Sequence, residues 1–208
     1  MTAGLPTMLL APAPIRTRMD LLRGPLAALR GAIVDEPRGY AALVGVLLLP
    51  AHDPRADLAA LFLNNAGTLP MCVHASIGVA RTLLHMGDDL PSILAGLGAD
   101  FSQVPWSRPL CLETPAGLVH VRAESDEDHG IAVDNVAAKR TRRAVALESS
   151  VGTIHADVAW GGNWFLIVDP SPLPVQPDNL PALHGLTREL RRAAEDQGLR
   201  GDDGAFID

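Results

Sequence analysis

A mixed fold of the α/β (α+β) class is predicted by three observations. Two unbroken apolar runs of strand length, residues 43–49 and 58–63, lead into a stretch with helical period. Short strand-like segments then dominate residues 110–168, and an amphipathic pattern of helix length follows at 180–197. The 208 residues and 22.0 kDa suit one large domain or two small ones.

Taken in order, residues 8–10 form a short apolar run of strand type, and residues 16–29 carry a broken helical pattern. The motif Asp-Glu-Pro-Arg-Gly-Tyr at 35–40 is a turn signal, and Pro50 ends the apolar run 43–49. A polar loop at 53–57 precedes the run 58–63. Residues 90–97 form a short helix or strand, and the Gly-, Pro- and Trp-containing stretch 98–109 marks the expected boundary between a first part, 1–108, and a second, 109–208. In the second part, strands are expected around the Glu-Thr-Pro-Ala-Gly turn at 113–117 and at 131–136, 144–147, 151–158 and 164–168. A sharp Trp-Gly-Gly-Asn corner at 160–163 enters the last of these, and a proline-rich stretch, 170–181, leaves it. The closing helix places Leu183, Leu186, Leu190 and Ala194 on one face, with Gly198 as its stop. Residues 205–207 read as an incipient strand, unpaired within the sequence.

Composition excludes several function classes. Hydrophobic residues make up 48 % and charged residues 20 %, yet no apolar run approaches the ~18 residues of a membrane helix, so no membrane partner is expected. The first residues lack a basic segment before their short apolar run, which argues against a signal peptide and for a cytoplasmic protein. A net charge of −7 argues against nucleic acid, and the basic cluster at 139–143 reads as solvated surface. Lys139 is the only lysine and sits among arginines, a poor setting for a Schiff base. There is no glycine-rich nucleotide loop, so the expected chemistry needs no cofactor. Cys72 and Cys111 form no close pair, and His52, His85, His120, His129 and His184 are scattered, so neither a disulfide nor a metal site is expected.

The chemistry points to residues 64–87. Val73, Ile77, Ala80 and Leu84 recur at i, i+4, i+7 and i+11, one face of a helix expected at 72–86, and Gly87 suits the position after its end. Pro70 falls just before or within the first turn, where a missing N–H costs nothing. Cys72 therefore stands at the helix N-terminus, where unpaired N–H groups and the helix dipole favour a thiolate, which is a base or a nucleophile. A free cysteine is equally a common small core residue. The small residues Ala75, Ser76, Gly78 and Ala80, with few polar ones, suit a central helix wrapped by other elements.

Six stretches in order, 2–7, 35–40, 64–79, 113–119, 157–165 and 201–208, resemble the proline racemase family, most closely its 4-hydroxyproline 2-epimerase branch. The resemblance covers essentially the whole chain. It implies a diaminopimelate-epimerase-like fold: two pseudo-symmetric, β-barrel-like halves, each around a central helix. It also implies inversion at the α-carbon of a free imino acid, 4-hydroxyproline or proline, by two cysteines on opposite faces of the ring. Inversion needs acid and base on opposite sides, each within hydrogen-bonding reach of the carbon.

By the same resemblance Cys72 is the first catalytic cysteine and His74 a substrate neighbour, with Val73, Ala75 and the corner Gly161, Gly162, Asn163 as further substrate-binding positions. Val73 stands where the family has glycine, a β-branched side chain at a place of close substrate approach. Ala75 and Ser76 replace glycine and threonine, Thr68 and Pro70 replace an aromatic residue and a glycine, and Leu5 replaces glutamate. The family's second-cysteine motif is absent from these 208 residues, and Cys111, in a strand context, reads as a buried residue rather than its substitute. A C-terminal truncation is therefore expected, with an incomplete second half, exposed sheet edges and self-association, a homodimer included. Two alternatives stay open: a catalytically inactive remnant or imino-acid-binding module, and a one-cysteine dehydratase of 3-hydroxyproline.

Overall fold

A computed structural model describes residues 6–86, 108–124 and 130–207, so the expected segment 90–97, most of the connection 98–109, Leu5, Gly87 and His129 lie outside the described residues. The chain divides into two compact units, Met1–Val136 and Ala137–Asp208. The boundary expected at 108/109 falls inside the first unit, because the strands that follow it complete that unit's sheet.

The first unit opens with three helices, α1 (Thr7–Leu10), α2 (Ile15–Arg23) and α3 (Ala27–Val34). The strand expected at 8–10 is thus a single helical turn that buries Leu9; Ala11 donates its N–H to the Thr7 carbonyl, closing the turn locally. The broken helical pattern becomes two helices because Gly24-Pro25 interrupts it. Strands β1 (Gly45–Leu49), β2 (Leu58–Leu63), β3 (Thr68–Leu69), β4 (Leu110–Thr114), β5 (Gly117–Ala123) and β6 (Ile131–Asp134) form one sheet in the order β1-β2-β4-β5-β6, with β3 paired to β2. The β2–β4 pair is parallel and the others are antiparallel.

Every residue of β2 is 0 % exposed. Its alternation explains why the sequence shows no polar face: Leu58, Ala60 and Phe62 pack with helix α4 (Val73–Met86), whereas Ala59, Leu61 and Leu63 pack with α1–α3. One strand is therefore the floor of two cores. Between α3 and β1, Gly39 is required sterically, because a Cβ there would lie 1.8 Å from the Val34 carbonyl oxygen.

Helix α4 begins where the sequence places it but turns a different face inward. Ala75, Ser76, Val79, Ala80 and Leu83 are buried, while Val73 is 42 % exposed. The small side chains at 75, 76 and 80 let the helix approach the sheet closely, and this outweighs the larger apolar bulk of Val73 and Ile77.

In the second unit, β7 (Lys139–Ser149), β8 (Gly152–Trp160) and β9 (Trp164–Ile167) form an antiparallel sheet. Helix α5 (Leu180–Asp196) covers one face, burying Leu186, Leu190 and Ala194 against Leu147, Ala156, Val158 and Trp164. Gly198, at φ +67°, ends α5, and the Leu199 N–H returns to the Ala194 carbonyl. Residues 205–207 are not a strand: Gly201 donates to the Ala205 carbonyl, and Ile207 is buried in the core under α5. Neither sheet closes into a barrel among the described residues.

Candidate active site

The segment before α4 leads from β2 to Cys72 through a turn and the short strand β3. Asn64 starts it with a side-chain turn, its Oδ1 accepting the Ala66 and Gly67 N–H groups at 3.0 and 2.8 Å. Strand β3 then returns along β2, pairing Thr68 with Leu63 and Leu69 with Phe62. Pro70 offers its carbonyl to the Ala116 N–H at 3.3 Å, so the turn between β4 and β5 grips the segment from one side. Met71 is buried.

Cys72 is the residue immediately before α4 and is half-buried. Its Sγ accepts the Ala75 N–H at 3.4 Å, the place a serine or aspartate oxygen takes in an ordinary helix cap. Its carbonyl accepts both the Ser76 N–H at 3.0 Å and the Ser76 Oγ–H at 2.9 Å, which fixes the first turn under it. The sulfur thus faces the unpaired N–H groups and positive dipole end of a fourteen-residue helix. Val73 and His74 are exposed beside it, and Ala75 is buried beneath.

The remaining expected positions lie in the second unit. Gly161, Gly162 and Asn163 form the corner between β8 and β9, with the Gly161 N–H on the Asn163 carbonyl at 3.0 Å and Gly162 buried at φ +103°. Trp160 and Trp164 flank the corner, their rings 5.4 Å apart and tilted by 53°.

Cys111 has none of the features of Cys72. It lies within β4, 4 % exposed and paired in register with His120. Burial, with the neighbouring Asp57 carboxylate, pushes its thiol up from the ordinary value. Asp57 accepts the Cys111 N–H at 2.8 Å and pairs with Arg108. Burial alone would raise the Asp57 carboxyl, but those hydrogen bonds hold it below its ordinary value.

Sequence reasoning missed several polar supports. Glu113, 7 % exposed, accepts the His52 and Asp53 N–H groups at 2.6 and 3.1 Å through one oxygen. Arg18, 1 % exposed, donates to the Ala13 and Pro50 carbonyls. Desolvation lowers its guanidinium from the ordinary value, partly offset by the Glu113 charge. Its sequence signal is an arginine between Ile15, Met19 and Leu22 on an otherwise buried face. Among the described residues no three of His, Cys, Asp or Glu gather into a metal-ligand set, and no helix is long and apolar enough to cross a membrane.

Comparison with known proteins gives this arrangement a context. A 4-hydroxyproline 2-epimerase of Pseudomonas aeruginosa is 37 % identical over 215 aligned residues, covering 100 % of this chain and 63 % of that protein. Its counterpart in Roseibium alexandrii is 36 % identical, with 100 % and 60 % covered. The chain therefore spans about 60 % of the length of these relatives. Among solved structures, a hydroxyproline epimerase of Agrobacterium vitis with bound trans-4-hydroxy-L-proline superposes with a TM-score of 0.69 at 28 % identity, over 85 % of this chain and 50 % of that one. A probable proline racemase of Agrobacterium radiobacter K84 gives the same TM-score at 25 % identity and the same coverage. Residues 1–204 match the family model described as proline racemase, and the chain belongs to that family.

Proposed function

We propose that this chain carries one half of a two-sided acid–base site that epimerises 4-hydroxyproline, or racemises proline, at the α-carbon. The observation that carries the reading is Cys72: a half-exposed thiol at the start of a long helix, its sulfur taking a backbone N–H. Relatives named 4-hydroxyproline 2-epimerase, and the related structure holding trans-4-hydroxy-L-proline, supply the substrate class.

In this reading the Cys72 thiolate takes the α-proton, the electron pair moves into the substrate carboxylate, and an acid on the opposite face returns a proton to carbon. The N–H groups at the start of α4 suit the substrate carboxylate. Val73, His74 and Ala75 at the start of α4 are the substrate-binding positions this reading assigns to the first unit, and Gly161, Gly162 and Asn163 at the β8–β9 corner are those it assigns to the second. The opposing group is a second cysteine, which these 208 residues do not hold at the family's motif. The reaction needs no cofactor, its partner is the free imino acid rather than nucleic acid or a membrane, and a cytoplasmic homodimer is the setting that goes with it.

A second reading, an imino-acid-binding module without turnover, is favoured by one observation: Val73 is 42 % exposed at the position where the family has glycine. Proton NMR of the chain with trans-4-hydroxy-L-proline in D2O separates the two. Loss of the α-proton signal, abolished by Cys72→Ser, supports the acid–base half-site, and appearance of the cis-D epimer means that an opposing acid is present in the chain or its oligomer. With trans-3-hydroxy-L-proline in place of the 4-hydroxy isomer, loss of the α-proton together with the β-hydroxyl marks a dehydratase. Binding without exchange, strengthened by Val73→Gly, supports the module, and neither binding nor exchange from folded protein overturns both.

A further inference from the structure

We propose that Arg30, with Arg23 beside it, is the positioning residue for the Cys72 segment. Arg30 lies in α3, half-buried, and its Nη1 donates to the carbonyls of Asn64 and Asn65 at 2.7 and 2.9 Å, 34 and 35 residues further on. The inner groups of that turn are already satisfied: Asn64 Oδ1 holds two N–H groups, and the Asn64 N–H reaches the Gly67 carbonyl at 2.9 Å. The Asn64 carbonyl, which also accepts the Gly67 N–H at 3.3 Å, and the Asn65 carbonyl are both taken by the guanidinium. Bonds from a charged donor are roughly twice as strong as neutral ones, so the turn is held rather than merely closed. Among the described residues Arg30 makes no ion pair, and these two carbonyls are the partners its charge has been given.

Arg23 continues the grip. Its Nε donates to Thr68 Oγ1 at 2.7 Å, at the first residue of β3. From Leu69, the end of β3, the chain reaches Cys72 in three residues, with the Pro70 carbonyl held from the far side by Ala116. The helical layer α2–α3 and the β4–β5 turn therefore hold the segment between them, and the Sγ position that meets the Ala75 N–H depends on both. A layer whose apolar residues only cover β2 acquires a second task through its arginines.

This inference rests on reading Cys72 as the acid–base group, but its test reads the thiol directly. The rate of Cys72 alkylation by iodoacetamide at pH 7 is followed by peptide mass spectrometry, which resolves it from Cys111. Arg30→Met keeps the apolar stem and is expected to slow Cys72 alkylation about two- to fivefold, the range of a helix-end interaction. Arg30→Lys, which still donates, restores more than half of the lost rate. Arg23→Met gives about a twofold loss, since it removes one exposed bond to the segment, besides an ion pair with Asp20 inside α2. Arg122→Met, which breaks surface pairs with Glu124 and Asp134 only, leaves the rate unchanged.

An unchanged or faster rate in Arg30→Met, or no rescue by lysine, overturns the proposal; if Arg30→Met fails to fold, an unchanged rate in Arg23→Met does so. Failure of the functional reading shows differently: alkylation responds to Arg30 while the NMR assay shows no exchange.

Discussion

The two sheets of this molecule are built from similar short strands but stand in opposite situations. In the first unit β2 is buried on both faces, between α4 and the α1–α3 layer. In the second, α5 covers one face of β7–β9, while on the other Phe165 and Ile167 remain 41 % and 45 % exposed. The sequences mirror this. Leu-Ala-Ala-Leu-Phe-Leu at 58–63 has no polar member, whereas β8 alternates Ile154, Ala156 and Val158 with His155, Asp157 and Ala159. A strand's apolar count thus reports how many layers it serves, and mutational cost should follow that count rather than side-chain size.

The largest effect expected is at the doubly buried strand. Phe62→Ala should cost about 3–5 kcal/mol, read as lost hydrogen-exchange protection in β2 and α4 peptides of the first unit. Protection lost equally in the second unit would break the comparison. Gly39→Ala should follow, at about 1–3 kcal/mol, because the new Cβ forces the α3–β1 connection apart; a urea midpoint equal to wild type would show that this turn yields freely. Cys72→Ala removes the sulfur cap and should cost about 1 kcal/mol or less, with Cys72→Ser recovering it through a better acceptor. Both variants should lack α-proton exchange, which separates the cap from the chemistry.

Acid should act more gently. The Arg55 side chain and N–H hold the half-buried Asp53 carboxyl at about 2, below its ordinary 3.8. A folded value below the unfolded one means that this contribution is complete above about pH 4 and is lost as pH falls from 3.8 toward 2. Asp53→Asn should flatten that part of an acid titration of the urea midpoint. The smallest effect is expected at the open face, where Phe165→Ala should stay within about 0.5 kcal/mol. A larger loss, measured by urea unfolding, would mean that something covers this face in solution.

Legibility in the sequence followed the same logic. The strand β2 and the helix after Cys72 announce themselves, because a proline-led, unbroken periodic run has few other readings. The face α4 buries was not legible: hydrophobic weight favours Val73 and Ile77, while the contact is made by Ala75, Ser76, Val79, Ala80 and Leu83. Packing rewards closeness, which small residues allow and which a periodic count cannot see. The position of Cys72 could be read locally, since its cap partner is three residues away. Arg23 and Arg30 could not, because their acceptors lie 34 to 45 residues downstream and exist only once the sheet has formed.

One feature of the second unit makes it observable by light. Trp164 carries Asp203 on its indole N–H at 2.9 Å, Lys139 over its ring at 5.4 Å, and Gly201 so close that a Cβ there would fall 2.2 Å from Nε1. Its ring also couples with Trp160 across the glycine corner. Emission and near-ultraviolet dichroism of this pair therefore register whether residues 201–207 lie folded against the β8–β9 corner, giving the unit an intrinsic optical gauge that needs no label.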